Sequence, residues 1–207
     1  MLLPEICALQ ATASGEFNFP KTFQSYFSIF DMIARHIGNV QVEIGLDHWP
    51  NIYCGVAVLM FFLLYLCCRK ISVKEKAVYC GLLLFFYASF SINVLNFIWH
   101  GFHYPNSLPC RQSFIYIALM LVVCFRAYEN LDSIPWKHGA AAFWGAVIFI
   151  LLAEEMAGDL TENTEFRFAI FYGAILILAL YAGVISVSYT HLDVYKRQLY
   201  NYGILWH

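Results

Sequence analysis

The chain has 207 residues, of which 61% are hydrophobic and only 13% are charged, and its formal net charge is −2. Soluble domains have about 25% charged residues, so this composition excludes an ordinary water-soluble domain and predicts a protein solvated by a lipid bilayer. The lack of a basic cluster excludes nucleic acid as a partner.

Residues 1–50 precede the first long apolar run and are expected to form an external segment. Between 22 and 38 the apolar residues recur at helical spacing, but the polar residues among them are too many for a membrane span. This pattern predicts an interfacial amphipathic helix on the membrane surface. A helix that packs against a soluble domain is the alternative.

Five apolar runs follow. About 20 residues cross a bilayer, and the first, third and fourth runs are slightly shorter than this. The five runs predict an all-α, polytopic bundle of about five transmembrane helices within residues 51–186. The runs occupy residues 52–68, 77–98, 113–128, 138–153 and 166–185.

The loops predict how the bundle is oriented. The loop at 69–76 carries Arg69, Lys70, Lys74 and Lys76, and the positive-inside rule therefore places it in the cytoplasm. The loop at 99–111 and residues 1–50 are then external.

The last stretch, 187–207, contains VSYTHLDVYKRQ, which is polar and aromatic without a helical period. It resembles a translated adaptor or assembly artefact. We therefore expect this tail to lie outside the functional protein, and we expect the chain to be a fragment.

The most informative polar residues lie at the end of the second apolar run. Asn93, Asn96, His100 and His103 are spaced by three, four and three residues, which places them on one helix face roughly 80° wide, with Ser89 one turn earlier. A polar stripe on an otherwise apolar helix faces other helices or a wet cavity rather than lipid.

The same stretch carries a longer pattern, NFIWHGFHYPNSLPCR, from Asn96 to Arg111. With Pro50–Asn51–Ile52–Tyr53–Cys54–Gly55 upstream and Arg126–Ala127–Tyr128 downstream, it resembles the YfhO family of bacterial multi-pass membrane proteins over roughly residues 1–185. One departure is Cys110, where the family usually has a tyrosine.

This resemblance implies a fold and an activity. It implies a GT-C-type glycosyltransferase that takes a sugar from a polyprenyl-phosphate carrier and glycosylates an external envelope polymer such as lipoteichoic acid. In that fold the catalytic acid lies in the first external loop. No such loop is recognisable in this piece, so the catalytic residue is unknown.

A lipid-phosphate sugar donor needs a cation for its phosphate and hydrogen-bonding groups for its hydroxyls. Arginine binds phosphate bidentately, and histidine and asparagine bind hydroxyls. The predicted substrate-binding residues are His100, His103, Arg111, Asn106, Asn96 and Asn93. In the alternative interpretation these side chains only hold helices together.

Three other hypotheses stay open. His100 and His103 could share a metal ion with acidic residues of 154–165, but H-x-x-H alone is a weak signal, so we expect no metal and no cofactor besides the donor. A transporter or permease subunit is the second alternative, and a non-catalytic membrane scaffold is the third.

Overall fold

The computed structural model describes residues 19–28, 30–38, 50–102, 110–156 and 164–201, without the side chains of 31, 164–168 and 188–201. Within these ranges every regular element is a helix, which confirms the predicted all-α class. The α-helices are α1 (Ala57–Cys67), α2 (Val73–Ser91), α3 (Asn93–Trp99), α4 (Ser113–Glu129), α5 (Trp136–Met156) and α6 (Thr164–Asn201). Two short 3-10 helices occupy Asp31–His36 and Leu131–Ser133.

Two helical segments in the described part are long and apolar enough to cross a bilayer, Trp136–Met156 and Ala169–Val187. The prediction of about five spans is not confirmed. α1 has 11 residues, which span about 16 Å, whereas a bilayer core is about 30 Å thick. The predicted tail of 187–207 continues the backbone of α6 as far as Asn201.

The helices pack around α1, which is apolar on every side and contacts α4, α5 and α6. α2 packs against α4 in an antiparallel pair. At one end of this pair the Arg126 guanidinium lies 3.0 Å from the Glu75 carboxylate. At the other end the Cys110 thiol lies 3.8 Å from the Phe90 carbonyl oxygen. The loop at 103–109 therefore connects helices at the end opposite to the Glu75–Arg126 pair.

The turn between α1 and α2 is held by side chains from the first turn of α2. The Ser72 hydroxyl accepts a hydrogen bond from the Glu75 amide at 3.2 Å and caps the helix. The Lys76 ammonium donates to the carbonyl oxygens of Leu66 and Cys68 at 2.8 and 2.6 Å. These carbonyls lie at the C-terminal end of α1 and at its C-cap, where a cation is favourable.

The predicted run of 77–98 is two helices rather than one. The chain becomes extended at Ile92, with φ −83° and ψ 117°. Residues 22–27 lie antiparallel to this break, where the Tyr26 amide donates to the Ser91 carbonyl at 2.9 Å and the Asn93 amide donates to the Gln24 carbonyl at 3.1 Å. The N-terminal segment thus satisfies the backbone groups that the break leaves without helical partners.

The predicted interfacial helix of 22–38 is wrong. Residues 22–28 form no helix, and the helical part is the 3-10 turn Asp31–His36, which packs against α5. Met32, Ala34, Arg35 and His36 are buried rather than divided between a lipid face and a water face. The local pattern does not predict this burial, because it depends on partners elsewhere in the bundle, such as the Tyr116 hydroxyl that bonds to His36.

Candidate functional site

Asn93 begins α3, and its side chain joins this helix to the N-terminal segment. Its Nδ2 donates to the Thr22 carbonyl oxygen at 2.8 Å, and its Oδ1 accepts from the Gln24 amide at 3.0 Å. Oδ1 also accepts from the Val94 amide at 2.8 Å. Both polar atoms of this predicted substrate-binding residue are therefore engaged within the protein.

Asn96 lies one turn later and differs from Asn93. It is fully buried, and within the described part of the chain neither its Nδ2 nor its Oδ1 has a hydrogen-bond partner. An unpaired buried amide costs about 1–3 kcal/mol, and such groups in native proteins usually have a water or a ligand beside them. Asn96 therefore offers a free donor and a free acceptor.

His100 caps the end of α3 and is half-buried. Its Nδ1 lies 2.7 Å from the Asn96 carbonyl oxygen. Since a carbonyl only accepts, Nδ1 carries the proton in this contact, and Nε2 of a neutral ring is then an acceptor. Nε2 is buried and has no hydrogen-bond partner among the described residues.

A Schellman motif ends α3, and this corrects the predicted stripe. Gly101 has φ 68°, its amide donates to the Ile98 carbonyl, and the Phe102 amide donates to the Phe97 carbonyl. The helix itself therefore ends at Trp99, before the last residue of the predicted stripe. His103 itself lies outside the described residues, as does Asn106.

After the loop, the described part of the chain resumes at Cys110, shortly before α4 begins at Ser113. Phe102 and Cys110 on either side of the loop both have left-handed backbones, with φ 63° and 56°. This conformation costs a non-glycine residue on the order of 1 kcal/mol. Residues in such strained conformations cluster at functional sites.

Arg111 and Gln112 follow at the start of α4, and they have opposite surroundings. Arg111 is exposed, whereas Gln112 is buried, with no described partner for its Oε1 or Nε2. Gln112 was missed in the sequence because it looks like an ordinary polar residue before an apolar helix. In the part of the chain that the structure describes, no hydrogen bond joins Arg111 to His100, although the two residues flank the same loop.

A second polar group that the sequence did not reveal lies beneath this region. The His36 Nδ1 donates to the Ile33 carbonyl at 3.2 Å, so its Nε2 accepts from the Tyr116 hydroxyl at 2.9 Å. Burial lowers the pKa of His36 from 6.5 to about 4, and the backbone hydrogen bonds oppose this shift only in part. The ring is therefore neutral at physiological pH. Arg35, the preceding residue of the same 3-10 turn, is also buried.

The described residues bring no group of three or more metal-ligating side chains together. Residues 157–163, which contain part of the acidic stretch considered for a metal site, lie outside them. The metal hypothesis gains no support from the geometry of the described part.

A family model described as bacterial membrane protein YfhO matches residues 1–203. The chain belongs to the YfhO family. This confirms the resemblance drawn from the motif between Asn96 and Arg111, and it makes the protein a bacterial membrane protein in contact with a lipid bilayer. No curated protein and no solved structure matches the chain. The match therefore shows that the YfhO chain belongs to this family and is a membrane protein. The chemistry of the site follows from the residues that form it.

Proposed function

We propose that this YfhO chain is part of a membrane glycosyltransferase of the GT-C type. In this proposal it binds a polyprenyl-phosphate-linked sugar at the loop end of the bundle and serves glycosylation of an envelope polymer such as lipoteichoic acid. The observation that carries the proposal is that the buried side-chain amide of Asn96 and the buried Nε2 of His100 both lack a hydrogen-bond partner among the described residues.

These groups match the chemistry of a sugar. A hydroxyl both donates and accepts, and Asn96 offers one group of each kind while His100 offers an acceptor. Gln112, which follows the loop in the chain, adds a second buried amide that has no partner among the described residues. Sites that recognise hydroxyls use such buried polar groups because an unsuitable ligand leaves them unpaired.

Arg111 supplies the charge that the phosphate needs. It is exposed at the start of α4, and a guanidinium binds phosphate through two parallel hydrogen bonds. We propose that Arg111 holds the donor phosphate, with His103 and Asn106 of the intervening loop as further contacts. Asn93 acts as a positioning residue, since its amide holds the N-terminal segment on α3.

The proposal also specifies which end of the bundle is external and how many helices cross the bilayer. The loop end is external together with residues 1–50, the 69–76 turn is cytoplasmic, and about five helices cross the bilayer. The contacts of Lys76 and Arg126 support this orientation, because they place Arg126 at the same end as the lysines and arginines of the 69–76 turn, and the positive-inside rule counts these residues.

The test is an alanine substitution at Arg111 in cells that carry the complete protein. Arg111→Ala is expected to abolish glycosylation of the envelope polymer, while the protein still accumulates in the membrane. Arg69→Ala is the matched control, since this arginine is exposed in the turn at the opposite end. Normal glycan content in Arg111→Ala would remove this residue from the site.

A transporter is the rival, and the break at Ile92 favours it, because broken helices form the substrate sites of many transporters. In those proteins the freed backbone groups line the substrate path. Here the Ser91 carbonyl and the Asn93 amide are taken by the N-terminal segment. Unchanged polymer glycosylation together with lost solute uptake in Asn96→Ala would favour transport, and a scaffold predicts reduced membrane abundance alone.

A further inference from the structure

A cavity of about 550 Å³ lies between α1, α2, α4 and α5, away from the loop residues assigned above. Along α2 it extends from Cys80 to Tyr87, and seven residues of helix correspond to about 10 Å. The 3-10 turn closes it at the Tyr87 end through His36, whose ring lies 5.8 Å from the ring of Tyr87 and 5.7 Å from that of Phe149.

The wall of the cavity is apolar. Besides aliphatic and aromatic side chains it contains Cys80, His36 and the tyrosines Tyr87 and Tyr116. His36 and Tyr116 already bond to each other, and no residue of the wall carries a formal charge at neutral pH. A buried water needs two to four polar partners, so this wall suits hydrocarbon better than water.

The cavity reaches the outer surface of the bundle along α2. Leu84 lines it and is 67% exposed, while the neighbouring Leu83 lines it and is buried. The chain belongs to a membrane protein family, and an exposed leucine at the mouth of the cavity favours lipid over water as the material in contact with it.

We propose that this cavity binds one hydrocarbon chain of a bilayer phospholipid, which enters beside Leu84 and extends towards the His36 ring. Its volume falls within the range of small-molecule pockets, about 300–1,000 Å³. A helix from a second protein is about 10 Å wide and takes roughly 400 Å³ per turn, so the cavity holds little more than one turn. A single extended chain is narrower and fits the volume along α2.

The inference does not depend on glycosyl transfer, because it needs only the bilayer and the cavity. It is tested with the 207-residue chain reconstituted in bilayers that contain a phosphatidylcholine with a diazirine in one acyl chain. After illumination, mass spectrometry locates the cross-linked residues. We expect cross-links to concentrate on residues of the cavity wall on α2 and α5, above the level at exposed residues elsewhere on these helices.

Two filling variants and one control make the result decisive. Leu83→Trp places an indole in the cavity, and Ala146→Phe fills the cavity from α5. Because there are two filling variants, the test can still be made if one of them fails to insert into the bilayer. Both are expected to abolish the cavity cross-links. Leu82→Trp, on the same helix but outside the cavity and 40% exposed, is expected to keep them.

Cross-links spread evenly over the lipid-facing helices, or cavity cross-links that survive both filling variants, would overturn the proposal. Loss of the cavity cross-links on addition of polyprenyl phosphate at low mole fraction would assign the cavity to an isoprenoid chain and overturn the phospholipid assignment. Neither outcome decides whether Arg111 serves glycosylation, which the polymer assay measures separately.

Discussion

Removing the Asn93 amide should release the N-terminal segment from the helix break. In Asn93→Ala two hydrogen bonds between the segment and α3 are lost, from Nδ2 to the Thr22 carbonyl and from the Gln24 amide to Oδ1. At about 1 kcal/mol each, their loss favours local opening by about 2 kcal/mol. This corresponds to a roughly 30-fold larger opened population.

Hydrogen exchange measures this opening directly. The Tyr26 amide is bonded to the Ser91 carbonyl in the closed arrangement, so peptides covering 22–27 should exchange roughly 30-fold faster in Asn93→Ala when exchange follows local opening. Asn130→Ala is the matched control, because its amide donates to the Arg126 carbonyl at the other end of the bundle. Unchanged exchange in Asn93→Ala would refute the clamping role of Asn93.

Three further predictions concern other parts of the fold. Lys76→Met removes two charge-assisted hydrogen bonds to the end of α1 and should lower the melting temperature of the protein in detergent. Lys74→Met changes an exposed lysine in the same turn and should leave the melting temperature unchanged. Equal melting temperatures for the two variants would contradict the capping role of Lys76. Folded His36 has a pKa of about 4 and unfolded histidine about 6.5, so the unfolded chain binds more protons between these values. The contribution of His36 to the free energy of unfolding is therefore complete above pH 6.5 and falls on acidification towards pH 4, by on the order of 3 kcal/mol. His36→Gln should make stability depend less on pH in this range. An unchanged slope of stability against pH in this variant would refute the assignment. A cysteine at Ser107 should react with an impermeant maleimide in intact cells, above the level given by the native cysteines, and labelling only after lysis would reverse the proposed topology.

The sequence pattern alone predicts the structure correctly where that structure depends only on the residues of one helix. The apolar run at 113–128 became α4 at Ser113–Glu129, since an unbroken apolar sequence in a membrane protein has few alternatives to a helix. The break at Ile92 could not be predicted in this way. At this break the chain pairs with Gln24 and Tyr26, nearly 70 residues away, and the run of 77–98 around it is mostly apolar.

The candidate site shows the same limit. Asn93 and Asn96 look equivalent on a helical wheel. They differ in the structure because the Asn93 amide bonds to Thr22 and Gln24, whereas the Asn96 amide has no described partner. His36 looked like part of a water-facing surface because its partner, the Tyr116 hydroxyl, lies 80 residues later. Gln112 had no motif of its own, and its burial alone makes it a candidate.

The most direct test of the central claim is binding of polyprenyl phosphate to the purified complete protein, measured by native mass spectrometry. The account predicts a bound lipid phosphate in the wild type, weaker binding in Arg111→Ala, and unchanged binding in Arg69→Ala. The sugar-linked lipid should in addition lose affinity in Asn96→Ala, while the lipid phosphate without sugar should not. Equal binding of both lipids by the wild type and by all three variants would contradict the assignment of the loop end as a donor site.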